Sequence, residues 1–266
     1  MYKIIIVLFL FLFAANNKLH AQKADIVLYQ QSLSPSVHIL VGTDKRITGS
    51  GSGVVVKSIR TSRNVYLNTA ITCDHVVALN TKSFLEIAYY EKFVFAKRSN
   101  HSFPYITYAR YPSLDLAVIV FLTPFPLPTA KINFSPKLYI GNDVYGVGYK
   151  DTPRFIPGKI TDTSINNKRY RTSMYVVKGD SGGGVYNTDY ELVGVISSIL
   201  FDYNSMASFN GISYFTPMSG LLNKKDIKLD FIYKNEGIVL ELWTKFLKLD
   251  YSIYEHELHL KESYWE

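Results

Sequence analysis

Three residue types that together can break an acyl bond occur here in settings that would hold them still. They are a serine in VKGDSGGGVYN (177–187), a histidine in TCDHVV (72–77) and an aspartate in YPSLDLAVIVFL (111–122). Ser181 alone decides nothing, because glycines and small polar residues from Gly179 to Gly184 also make an ordinary tight loop. A serine hydroxyl becomes a nucleophile only beside a base, which must itself be oriented by a third group.

Of the six histidines, five read blandly. His20 lies in an apolar leader, His38 in an apolar strand and His101 in a polar loop-like stretch. His256 and His259 form HELH at helical spacing, but no further ligand cluster accompanies them, so they read as a surface pair and no metal is assigned. His75 differs, standing where the strand-like YLNTAIT ends and an apolar turn begins. Asp115 immediately precedes an apolar run, where an ionised group is costly unless it finds a partner such as an imidazole N–H. The three fit one mechanism. Ser181 attacks a carbonyl, His75 takes its proton and returns it to the leaving amine, and Asp115 fixes the imidazole tautomer. The developing oxyanion needs backbone N–H groups, expected from Gly179 and Ser181, and glycine allows the loop that conformation.

Such residues need a rigid frame. The 266 residues are 47% hydrophobic and 19% charged, enough for one large or two small globular domains. Short runs rich in β-branched residues (SGVVV, LAVIVFL, ELVGVISSIL), separated by turn residues, predict strands. TPFPLPTAK (123–131) carries three prolines and predicts a connector between two strand-rich halves. The expectation is an all-β protein of two packed six-stranded antiparallel barrels, about 34–123 and 132–222. A short helix is expected over 22–33, and residues 223–266 form a C-terminal extension whose periodicity names no partner.

Residues 1–21 begin with Lys3 and an unbroken apolar stretch, Ile4 to Ala15, short for a membrane span and suited to a removed export signal. The alternative is an uncleaved anchor; nothing downstream is long and apolar enough to cross a membrane. Removing Lys3 and Lys18 takes the formal charge from +7 to +5, and the basic residues are scattered, which argues against nucleic acid as a partner. One cysteine, Cys73, excludes an intramolecular disulfide. The sequons at Asn100 and Asn133 matter only in a eukaryote.

The order His, Asp, Ser with TCDHVV, LDLAVI and GDSGGG resembles the trypsin/chymotrypsin-like serine proteases over about residues 30–220. GSGVV before the histidine, Val76-Val77 after it, DLAV at 115–118 and the glycine-bearing segment 140–161 are similar to the Deg/HtrA-type branch. The resemblance implies the chymotrypsin-like double barrel, protein or peptide substrates and no cofactor. It implies a specificity pocket with Tyr175 near its base, Ser197, Ser198 and Ile199 on the strand that pairs with substrate, and Gly211 and Ser213 opposite; Ser197 would also bond Asp115. None is acidic, so a small or medium apolar residue before the cut is expected rather than Lys or Arg. Gly184 stands where proline is common and would loosen the loop, and Cys73 and Asp74 replace small or amide residues. Ile26-Val27 lacks the glycines that accompany activation by a new N-terminus pairing with Asp180, and the segment after residue 222 is too short for a PDZ domain. Two other readings stay open, a protease-like binding module without catalysis and an esterase with the same nucleophile chemistry; the latter lacks an α/β setting.

Overall fold

The β-branched and aromatic runs fold as thirteen antiparallel strands among the described residues, in two groups. The computed structural model describes residues 32–43, 46–61, 63–78, 85–91, 97–98, 103, 105–149, 153–165, 169–202, 207–222 and 237. The expected export signal, the expected N-terminal helix up to residue 31, His101, and the C-terminal extension apart from residue 237 lie outside them.

The first group comprises β1 (Ser36–Thr43), β2 (Arg46–Arg60), β3 (Tyr66–Thr72), β4 (Leu85–Glu91), β5 (Lys97–Arg98), β6 (Tyr105–Tyr111) and β7 (Leu116–Thr123). They form one sheet in the order β5-β4-β1-β2-β3-β7-β6; the strand beyond the expected six is the two-residue β5. The second group is β8 (Asp143–Tyr149), β9 (Pro153–Ile165), β10 (Arg169–Thr172), β11 (Gly184–Tyr186), β12 (Leu192–Asp202) and β13 (Ala207–Pro217), closed into the expected six-stranded barrel. The architecture is the chymotrypsin-like double barrel. Among the described residues no helix is long and apolar enough to cross a membrane.

LAVIVFLT of β7 is buried at every position, so this strand is covered on both faces and needs its apolar character throughout. Its pairing with β3 runs from Tyr66↔Thr123 to Thr72↔Ala117. That register has a functional consequence. The residues just after β3 and just before β7 emerge at the same end of the sheet, and they are His75 and Asp115.

The apolar cores meet across the halves. Val54, Ile71 and Val118 belong to one cluster with Val147, Tyr186 and Val195 of the barrel, whereas Val144, Ile156, Met174, Ile196 and Phe215 fill the barrel itself. The proline-rich connector is tacked to both sides: Ala130 N–H donates to Val55 O (2.8 Å), and Leu192 N–H to Lys131 O (2.7 Å). Glu191 clamps it by accepting from Asn133 Nδ2 (2.8 Å) and pairing with Lys131 (2.6 Å). These bonds, led by the one to Lys131, hold the Glu191 carboxyl below its ordinary range.

Candidate active site

Each candidate residue is fixed by a different element at the junction of the two halves. The chain leaves β3 at Thr72 and turns into the five-residue helix Asp74–Ala78, which carries His75 in its first turn. Sequence reading expected an apolar turn here; Val76 and Val77 are buried and seat a short helix instead. Before β7, Pro112–Leu114 make a single 3-10 turn capped by Asp115 in the left-handed region (φ 53°). Aspartate tolerates that conformation better than most residues, and it persists because the surroundings fix it.

The two side chains meet. His75 Nδ1 lies 2.9 Å and 3.0 Å from the Asp115 carboxylate oxygens, and the His75 backbone N–H donates to Oδ1 (3.1 Å). Ser197 Oγ donates to Oδ2 at 2.6 Å, as the resemblance implied. Burial pushes the Asp115 carboxyl up, but the bonds from His75 and Ser197 and the nearby imidazole outweigh it and leave the group below the ordinary aspartate range. Arg169, absent from the sequence-based site, brings Nη2 to 3.8 Å from Asp115 Oδ2.

Ser181 enters from the loop between β10 and β11 and is half-buried. That loop is sewn to β12 by Gly182 N–H to Ile196 O and Ile196 N–H to Gly183 O, both 2.8 Å. Gly179 (φ 105°) and Gly182 (φ 89°) are left-handed, as the glycine-rich run allows. At Gly182 a side chain would also strike the Ser52 carbonyl and Thr72 Oγ1. Gly184 does not loosen the loop. It begins β11, paired with Val147 and Val195, and its missing side chain makes room for the Tyr186 ring.

Ser52, which in the sequence is only part of a GSG pattern, uses every polar atom here and ties this loop to β3 and β8. Its N–H donates to Ser181 O (2.7 Å), its carbonyl accepts from Thr72 Oγ1 (2.6 Å), and its hydroxyl accepts from Tyr149 N–H (2.7 Å) and donates to Gly179 O (2.7 Å). The side chain that reads as a spacer is fully buried. Among the described residues the N–H groups of Gly179 and Ser181 donate to no protein acceptor, whereas those of Asp180, Gly182 and Gly183 all do. No hydrogen bond joins the Ser181 hydroxyl to His75; the two approach through their neighbours, since a Cβ on Gly51 would meet both Val76 (2.6 Å) and Ser181 O (3.1 Å).

The substituted positions before His75 have separate tasks. Asp74 does not compete for the imidazole: Arg110 holds it bidentately, Nε to Oδ1 at 2.7 Å and Nη2 to Oδ2 at 3.0 Å. Cys73 is fully buried, and its thiol donates to Ile196 O (2.9 Å). Cys73, His75 and Asp115 bring potential ligand atoms within 4.8 Å of one another. Burial, then the charge of Asp115, push the thiol well up, opposite to the thiolate that metal binding requires. His38 stacks on Tyr149 in the interior (centroids 5.4 Å apart).

The expected specificity residues have mixed placements. Tyr175 is 51% exposed. Ser213 is buried, with Oγ 2.7 Å from Thr172 Oγ1. Ser198 and Ile199 pair with Tyr214 and Ser213 between β12 and β13, and Gly211 lies on β13.

A double barrel with an imidazole–carboxylate pair facing a glycine-rich serine loop at its junction defines the class of chymotrypsin-like peptidases. Residues 51–195 match the family described as trypsin-like peptidase domain, over more than half of the sequence, and the chain belongs to that family. The protein named "Probable periplasmic serine endoprotease DegP-like" of Pseudomonas fulva (strain 12-X) is 30% identical over 110 residues. Those residues are 38% of this chain and only 22% of that relative. The crystal structure of the serine endoprotease from Yersinia pestis superposes with a TM-score of 0.57 at 21% identity, covering 79% of this chain and 66% of that one. That likeness concerns the fold, and the chain spans just under two thirds of the structure.

Proposed function

We propose that the protein is an exported serine endopeptidase that hydrolyses peptide bonds through Ser181, His75 and Asp115. The observation that carries this reading is the His75 imidazole held through Nδ1 by both oxygens of Asp115, at 2.9 and 3.0 Å. With Nδ1–H engaged, Nε2 is the lone-pair nitrogen and can accept the Ser181 proton. Ser181 Oγ then bonds to the carbonyl carbon, and the negative charge passes to the carbonyl oxygen. The N–H groups of Gly179 and Ser181, uncommitted among the described residues, suit that oxyanion. The C–N bond breaks as His75 gives the proton to the leaving amine, and water, deprotonated by the same nitrogen, hydrolyses the acyl-enzyme. The separation of Ser181 from His75 is compatible with catalysis, because such contacts often tighten only around substrate.

Export is supported by the apolar leader and by a relative whose name places it in the periplasm. Cleavage after a small or medium apolar residue is the specificity we infer. A denatured protein incubated with the full chain and its digest sequenced tests both: new termini that vanish with Ser181→Ala are expected, and equal digestion by Ser181→Ala would refute the reading.

A further inference from the structure

We infer that Arg154 is a positioning residue, a built-in counter-ion that holds the loop carrying Ser181 in its oxyanion-binding shape without any newly cut N-terminus. The inference rests on the catalytic reading above. Asp180, immediately before Ser181, has no solvent exposure. A carboxylate so buried is stable only when paired. Arg154 Nη1 donates to its Oδ2 at 2.9 Å, and the Val177 N–H donates to the same oxygen at 2.8 Å. Nη2 of the same guanidinium reaches Tyr175 O at 3.4 Å. One side chain therefore ties the start of the loop, at Tyr175, to its end at Asp180. Asp180 N–H donates to Val177 O (3.1 Å), closing the turn in which Gly179 takes φ 105°.

The sheet explains why residue 154 does this. Arg154 on β9 lies directly opposite Gly148 on β8. A Cβ at Gly148 would sit 2.7 Å from Asp180 Cα, so only glycine lets the acidic loop lie against that strand. A long side chain from the paired position can then curl onto the carboxylate, and the Arg154 side chain keeps 29% exposure. Without the cation, Asp180 would turn toward water and carry the Gly179 and Ser181 N–H groups away from the carbonyl oxygen. The loss would fall on the transition state, hence on kcat and not on KM.

The test compares wild type, Arg154→Met, Arg154→Lys and the double variant Arg154→Met/Asp180→Asn, each as the full chain. Peptide hydrolysis is measured, with active sites counted by a fluorophosphonate. We expect Arg154→Met to lose at least about 100-fold in kcat per counted site with KM within about threefold. Arg154→Lys, which keeps the charge but not the fork, should lose about tenfold or less, again in kcat. The double variant, with no buried charge left to neutralise, should recover at least about tenfold over Arg154→Met. If Arg154→Met fails to fold, Arg154→Lys and the double variant decide, and losses in KM alone overturn the inference. Wild-type kcat in every variant overturns it while leaving the catalytic reading intact. A folded wild type that takes up no fluorophosphonate overturns that reading and the inference with it.

Discussion

Asp115 illustrates how much a single residue must be held before it can hold another. It sits at φ 53°, accepts from the backbone and ring of His75 and from Ser197, and lies 3.8 Å from Arg169. Because its folded value is lowered, the stability it contributes is present above the ordinary aspartate value and is lost as pH falls through the lowered one. Ser197→Ala removes one of the bonds that lower it, so the acid-dependent loss should be smaller and complete at a higher pH. At neutral pH the variant should be destabilised by about 1.5–3 kcal/mol, the worth of a hydrogen bond to a charged group. Urea unfolding between about pH 6 and about pH 3 measures both quantities; superimposable profiles would show that Ser197 does not bear on Asp115. The candidate triad was legible in the sequence because its residue types sit in short, distinctive settings. Ser52 and Arg154 were not, since a small polar residue in a glycine pattern and an arginine in a strand acquire meaning only from what crosses above them.

At the scale of elements, the β3–β7 register sets the distance between His75 and Asp115, and the Asp74–Arg110 pair pins the helix that carries His75 to β6. Asp74 is nearly buried while Arg110 is half-exposed, so solvent weakens the attraction but not the need of the carboxylate for a partner. Arg110→Ala should cost about 1–3 kcal/mol, and adding Asp74→Asn should return part of it, since the orphaned charge is then gone. Equal stability of Arg110→Ala and wild type in urea titrations would show that the pair does not pin the helix. Strand runs and the proline-rich connector could be read from alternation and turn residues. The short helix after His75 could not, because five residues are too few to show a helical period. The two-residue β5 is likewise too short to signal itself, and neither Tyr175 nor Ser213 could be assigned an exposure from local sequence.

At the scale of the molecule, Asp115 leads into the fully buried β7 of the first sheet and Ser197 comes from the barrel, while the loop carrying Ser181 is held both by Ser52 of the first sheet and by Ile196 of the barrel. Neither half carries all of the candidate residues, so anything that shifts one against the other separates His75 from Ser181. The bonds from Cys73 to Ile196 and from Thr216 Oγ1 to Leu114 O (2.8 Å) cross the same junction and oppose such a shift. Buried at its centre, the Cys73 thiol serves as a packed donor and not as a reactive group. We propose that this junction activates one serine. The most direct measurement is fluorophosphonate labelling of the full chain near neutral pH, with the adduct located by mass spectrometry. We expect a single adduct on Ser181, absent from Ser181→Ala and slowed at least about 10³-fold by His75→Ala. A folded protein that stays unlabelled, or that labels equally well without His75, would contradict it.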